Sequence, residues 1–262
     1  MPWIRHAPAA AYLLVGYVFI FLPVVILVLF SFQDGLLPVP PFKGPSLQWY
    51  EALFSNRRLM EALGNSVLVA GLSSLVATVL GFLAAYSLAR RGFRLGGVVR
   101  YALMAPITVS YLIIGLGLLI SFNMVGMPKS LLAVGIGHVV INLPLCFAIL
   151  YSQMGEHQRN IERAAHDLGA SDFQALALVT VPMMRPAIFA AFCLSATLSW
   201  DEFIIAILLS RFDVTLPVTI FEILRAGLNP QLNAAGTVVF AISMTLVLVA
   251  VILTLKGRKS DG

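Results

Sequence analysis

Apolar residues run along this chain in six blocks, roughly 11–32, 63–89, 98–122, 131–154, 187–210 and 234–255. Each is long enough to cross about 30 Å of hydrocarbon as a helix. The pattern predicts an all-α, polytopic membrane protein with six transmembrane helices, in a single domain over 1–262. The first block has an apolar core about twice the length usual for a signal peptide. Ser31-Phe-Gln-Asp-Gly35 offers no small-residue cleavage site, so the block is expected to be retained. Loops on one side cover about 33–62 and 211–233. The first holds Pro38, Pro40, Pro41 and Pro45, then Leu47-Gln-Trp-Tyr50, which predicts a turn-rich strap and a short interfacial helix. Pro23, Pro106 and Pro144 fall inside blocks, where each removes a backbone hydrogen bond and can kink the helix.

One stretch, about 156–186, breaks the apolar pattern with a different periodicity. Ile161, Ala164, Ala165 and Leu168 fall at i, i+3, i+4 and i+7, an apolar stripe with charges opposite. Gly169 is expected to stop that helix in a left-handed C′ position. Ser171 with Gln174 reads as a capping box opening a second helix, with Phe173, Leu176 and Ala177 as its stripe, and Pro182 and Pro186 are expected to end it. A helix, turn and helix of this kind either lies on the membrane surface or meets a partner in the aqueous phase.

The chain is 60% hydrophobic and 11% charged, which excludes a soluble globular domain. Arg5, Arg90, Arg91, Arg94, Arg100, Arg159, Arg163, Arg185, Lys256, Arg258 and Lys259 fall on one side of the predicted spans. Lys43, Arg57, Arg58, Lys129, Arg211 and Arg225 fall on the other, and the two sets hold all 17 basic residues. That bias predicts both termini and the 156–186 loop in the cytoplasm. The net charge of +5 therefore reports topology, and no interleaved basic and aromatic patch points to nucleic acid. Cys146 and Cys193 lie in spans without a second ligand at metal spacing, so buried small side chains are expected and no metal site. No Gly-x-x-x-x-Gly-Lys-Ser/Thr, His-Glu-x-x-His or Gly-x-Ser-x-Gly occurs, so neither a P-loop nor either of those catalytic motifs is present.

Asp201 and Glu202 are the acids within predicted spans. A charge there costs about 2.5 to 3.5 kcal/mol on insertion scales, so such residues face a cavity or a partner. On a continuous helix Asp201 shares a face with Thr197, Leu198, Ile204 and Ile205, and Glu202 is turned by about 100°. Trp200, Asp201 and Glu202 supply an aromatic face and carboxylates for an organic cation. Asp201 is the expected main contact, Trp200 a gate or platform and Glu202 a helper. The structural alternative pairs one acid with a base on another chain, or holds it neutral in a hydrogen bond. For His138 a hydrogen bond to a neighbouring helix is expected rather than a proton relay.

Ala164-Ala165-His-Asp-Leu-Gly169-Ala-Ser, followed by Val181-Pro182 and Pro186-Ala-Ile188, resembles the cytoplasmic EAA loop of permease subunits in binding-protein-dependent ABC importers. Leu198-Ser-Trp-Asp-Glu-Phe203 and the 211–233 loop are similar to the spermidine/putrescine-type branch. The Glu expected just before the paired alanines is Arg163 here, with Glu162 one step earlier and about 100° around the helix. The resemblance implies the type I importer permease fold in a bacterial inner membrane, with no catalytic residue or cofactor on this chain. It implies a second permease, a dimer of ATP-binding subunits that hold ATP and Mg, and an extracytoplasmic solute-binding protein. It also implies that Glu162, Ala164, Ala165, Asp167, Leu168, Gly169, Ala170, Asp172 and Pro182 couple to the ATPase. The solute would be a polyamine or related cation. The rivals are a proton-coupled secondary transporter using Asp201, Glu202 and His138, and an intramembrane enzyme built on the two acids.

Overall fold

The computed structural model describes residues 3–90, 95–227 and 230–260. The Arg5, Arg91, Arg94, Lys256, Arg258 and Lys259 side chains of the expected charge bias lie outside what is described. The helices are α1 (Trp3–Ser31), α2 (Gln48–Ser55), α3 (Arg57–Arg90), α4 (Gly96–Met104), α5 (Tyr111–Met124) and α6 (Leu131–Gln153). They continue with α7 (Glu156–Asp167), α8 (Asp172–Ala175), α9 (Val181–Trp200), α10 (Ile204–Leu209), α11 (Leu216–Ala226) and α12 (Pro230–Ser260). Among the described residues no strand occurs.

Among the described residues, five stretches are long and apolar enough to cross a membrane: Tyr12–Ser31, Arg57–Arg90, Leu131–Gln153, Asp172–Trp200 and Pro230–Val249. The third expected span is not one rod. Gly96–Thr108 and Tyr111–Met124 meet at 107°. Pro106 sits in a 3-10 turn, Ala105–Thr108, and Val109 and Ser110 are extended, so the backbone turns where proline withholds its donor. Pro144, by contrast, lies within an unbroken α6. The fifth span departs twice from expectation. Pro182 and Pro186 do not end a helix: α8 passes through a π-helical turn, Leu176–Thr180, into α9, where Pro182 takes a first-turn position and Pro186 lies inside. Nor does the helix reach 210, since it stops at Trp200 and restarts as α10.

The chain divides into two compact units, Met1–Glu61 with Thr219–Ala241, and Ala62–Val218 with Ile242–Gly262. In the first, the proline-rich strap folds back on itself. Gln33 Oε1 accepts from the Lys43 amide at 2.9 Å, and Trp49 Nε1 donates to the Gln33 carbonyl at 2.7 Å. Tyr50 and Ser31 share a hydroxyl hydrogen bond of 2.7 Å, so the two aromatics expected at the membrane interface also fasten α2 to the end of α1. Arg58 pairs with Glu222 at 2.5 Å, and Gln231 donates to the Ala52 carbonyl at 3.1 Å.

In the second unit, α3, α6 and α9 form the packed centre. His138 faces Ser199 and Cys146 faces the Ala191 carbonyl, so α6 and α9 run antiparallel. Phe82, Phe147, Leu150 and Met184 fill one cluster, and Val134, Ile141, Ile205 and Leu209 another. Helices in lipid gain little from hydrophobic exclusion and associate through close packing of small residues. Gly81 is such a contact: a Cβ there would lie 2.9 Å from Cys146 Cβ and from the Phe147 backbone nitrogen. Gly81→Leu is therefore expected to lose about 1 to 3 kcal/mol by overpacking. Thermal melting in detergent checks it, and an unchanged melting temperature would refute the close approach.

Candidate functional site

The 156–186 loop is built by local chemistry. Gly155 N–H donates to Gln158 Oε1 at 3.0 Å at the start of α7. At its end Ala170 N–H reaches the Ala165 carbonyl at 3.0 Å and Gly169 N–H the His166 carbonyl at 2.8 Å, with Gly169 at φ 90°. This is the Schellman closure that needs a left-handed residue, and glycine adopts it without strain. Ser171 Oγ then accepts from Gln174 N–H at 3.3 Å, while Gln174 Oε1 accepts from Ser171 N–H at 2.9 Å. Both halves of the expected capping box are present.

The expected stripe of α7 is split between an inward and an exposed face. Gln158, Ile161, Glu162 and Ala165 turn inward, whereas Ala164, Asp167 and Leu168 are exposed. Glu162 is the cause. Its carboxylate is buried and held in a fork by Arg90 at the end of α3, at 2.5 Å from Nε and 3.0 Å from Nη2. The Thr180 hydroxyl, in the π turn, donates to it at 2.7 Å. One acid therefore fastens the loop to α3 and to the entry of α9. Arg90 and Thr180 were not sequence candidates, because nothing in their own neighbourhood marks them as partners of a residue far along the chain. Leu168 is 91% and Phe173 75% exposed, with Gly169, Asp172 and the half-buried Ala170 between them.

The second constellation is the break after Trp200. Asp201 closes α9 with φ −97° and ψ 3° and is exposed, whereas Glu202 is buried. The two acids thus part, but not by rotation on one helix as expected, because the helix has ended between them. Glu202 turns back onto the start of α10. Its oxygens accept from the backbone N–H of Ile204 at 2.8 Å, of Ile205 at 3.0 and 2.9 Å, and of Ala206 at 3.2 Å. A carboxylate on the free donors of a helix start satisfies groups that lack intrahelical partners. Glu202 Oε2 also lies 3.4 Å from His138 Nε2.

His138 Nδ1 is 2.6 Å from Ser199 Oγ, and Ser199 Oγ is 3.0 Å from Ser73 Oγ. The expected hydrogen bond from His138 to a neighbouring helix is present. Trp200 is 3% exposed and backs the break rather than lining open space. Thr197 is half-buried and donates to the Cys193 carbonyl at 2.9 Å. Both cysteines are free and buried.

Residues 77–257 match the family described as binding-protein-dependent transport system inner membrane component. The chain is 33% identical over 247 residues to the putrescine transport system permease protein PotI of Escherichia coli K12, covering 91% of this chain and 88% of that one. It is 30% identical over 253 residues to the spermidine/putrescine transport system permease protein PotC of Haemophilus influenzae, covering 95% and 96%. Its fold is similar to a chain of the bacterial alginate ABC transporter solved with its alginate pentasaccharide-bound periplasmic protein. There the TM-score is 0.73 at 18% identity, with 95% of this chain and 92% of that one covered. A family match over most of the chain and relatives at 30% identity or more along nearly their whole length agree: this protein belongs to the inner-membrane permease components of binding-protein-dependent transport systems, which are multi-pass subunits of ABC importers.

Proposed function

We propose that this chain forms half of the membrane pathway of an ATP-driven importer for a polyamine or related organic cation, and that Asp201 is the carboxylate the cation meets. The observation that carries the reading is an exposed acid at a helix break within an otherwise apolar span. A charge at that depth is tolerated where it faces water or a partner, and a cation shedding its hydration needs such a group. Trp200 and Thr197 back the site, and Glu202 holds the break open. The resemblance to polyamine permeases supports the substrate class.

In this reading the whole chain acts as one permease domain beside a second permease. A solute-binding protein delivers the cation from outside. Both termini and the 156–186 loop face the cytoplasm, where a dimer of ATP-binding subunits holds ATP and Mg. Ala164, Asp167, Leu168, Gly169, Ala170 and Asp172 present the docking surface. Ala165, Glu162 and Pro182 fix its attachment to the bundle. The relatives this chain matches are components of binding-protein-dependent systems, which supports an importer over a proton-coupled transporter.

Uptake of labelled putrescine into proteoliposomes holding the assembled complex tests the reading. With ATP inside and binding protein outside, Asp201→Asn is expected to lower uptake at sub-saturating amine about tenfold, the loss of about 1.4 kcal/mol of contact. Wild-type uptake by Asp201→Asn would remove Asp201 from the pathway, and a wild-type complex that moves no amine would refute the substrate class.

A further inference from the structure

Beneath α7 lies a pocket of about 230 Å³, bordered by Arg90, Arg159, Glu162, Arg163, His166 and Asp172 together with Tyr86. Part of its charge is already matched. Arg90 and Glu162 neutralise one another in the fork described above. His166 Nδ1 lies 2.9 Å from the Ala170 carbonyl, and its Nε2 is 3.9 Å from Asp172 Oδ1. Arg159 and Arg163 remain. They stand at i and i+4 on α7, both exposed, and among the described residues neither has a carboxylate within ion-pair distance. The lining therefore carries three guanidinium groups against the carboxylates of Glu162 and Asp172, and Arg159 and Arg163 are the two outside any ion pair among the described residues.

We infer that this pocket is an anion-recognition site that receives one acidic side chain of the ATP-hydrolysing partner, clamped between Arg159 and Arg163. The inference rests on the importer reading and adds a specific contact to it. Guanidinium presents a planar fork of donors that matches a carboxylate in two-point geometry. The volume suits one Asp or Glu side chain. The partner is a protein because of what rims the pocket. His166 lies two residues before Leu168, and Asp172 adjoins Phe173, the two most exposed apolar side chains of the loop. A surface that covers these knobs also covers the pocket mouth. Asp172 on the rim and the exposed Asp167 beside His166 oppose a uniformly anionic lipid surface but can lie against a protein of mixed charge.

The test uses the complex extracted in mild detergent from its own host, with the permease tagged. The amount of ATPase retained is measured across a potassium chloride series for the wild type, Arg159→Gln/Arg163→Gln and Arg159→Lys/Arg163→Lys. The glutamine pair is expected to weaken retention at least about tenfold and to flatten its salt dependence, with the lysine pair intermediate, since truncating one side of a buried charge pair raises dissociation. Melting of the permease is expected to be unchanged, because both arginines are exposed. Retention by the glutamine pair equal to wild type, with the same salt dependence, overturns the proposal. So does unchanged retention with loss of co-purifying anionic phospholipid, which would assign the pocket to the membrane. A wild-type chain that brings down no ATPase overturns the importer reading itself. Arg163→Glu is expected to abolish retention, and one acid-to-arginine change on the ATPase to restore it. Failure of every such reversal again overturns the pairing.

Discussion

Glu162→Ala is expected to destabilise the chain by about 3 to 5 kcal/mol, because it strands the Arg90 guanidinium, itself only 12% exposed at its side chain, without its counter-charge. Thermal melting in detergent should fall by several degrees, and ATPase co-purification should fall with it, since the loop loses its ties to α3 and to Thr180. The prediction has an internal control. A buried ion pair is weak evidence for net stability, and replacing both partners by apolar side chains of similar volume is often neutral. Arg90→Met/Glu162→Met is therefore expected to regain most of the melting temperature. A double variant no better than Glu162→Ala would show that the two residues are not an energetic unit. If the double variant melts normally yet imports poorly, the fork is also the route by which motion of the loop reaches α3.

The same residue marks where the sequence was legible and where it was not. Gly169 and the Ser171–Gln174 box could be read because each is settled within five residues by backbone geometry and a short side chain. The inward face of α7 could not. The stripe Ile161, Ala164, Ala165 and Leu168 is split, with Ile161 and Ala165 inward and Ala164 and Leu168 exposed, because Arg90, 72 residues earlier, draws Glu162 inward. Six spans were visible because hydropathy averages over about 20 residues. That averaging is also what hid the 107° bend at Pro106–Ser110 and the break at Asp201, each a matter of two or three residues. The pair Asp201–Glu202 stands out by its charge, but the use of Glu202 as a helix cap has no local sequence signal. A carboxylate followed at once by Phe-Ile-Ile-Ala looks like the middle of a span until the N–H groups it accepts are seen.

Glu202→Ala is accordingly expected to have an effect as large as the loss of Glu162. Three backbone donors, those of the half-buried Ile204 and of the buried Ile205 and Ala206, would lose their acceptor at once. An unsatisfied buried donor costs about 1 to 3 kcal/mol, so a loss of about 2 to 6 kcal/mol follows even if water reaches the Ile204 donor. Glu202→Gln keeps one acceptor but turns an NH2 group toward backbone donors, and should lose about half as much. Melting temperature and hydrogen exchange at 204–206 read the effect directly, and an alanine variant with wild-type protection there would refute the capping role. The consequence reaches the proposed pathway. α10 packs Ile205 and Leu209 against Gly137, and Leu208 and Ile205 against Gly115, so the cap also fixes where the two halves of the fifth span part. Asp201 is exposed because the helix stops there. Uptake of a cationic amine should therefore fail in Glu202→Ala even though Asp201 is intact. Uptake retained in a destabilised Glu202→Ala would mean that the acid at 201 does not depend on the break to meet its substrate.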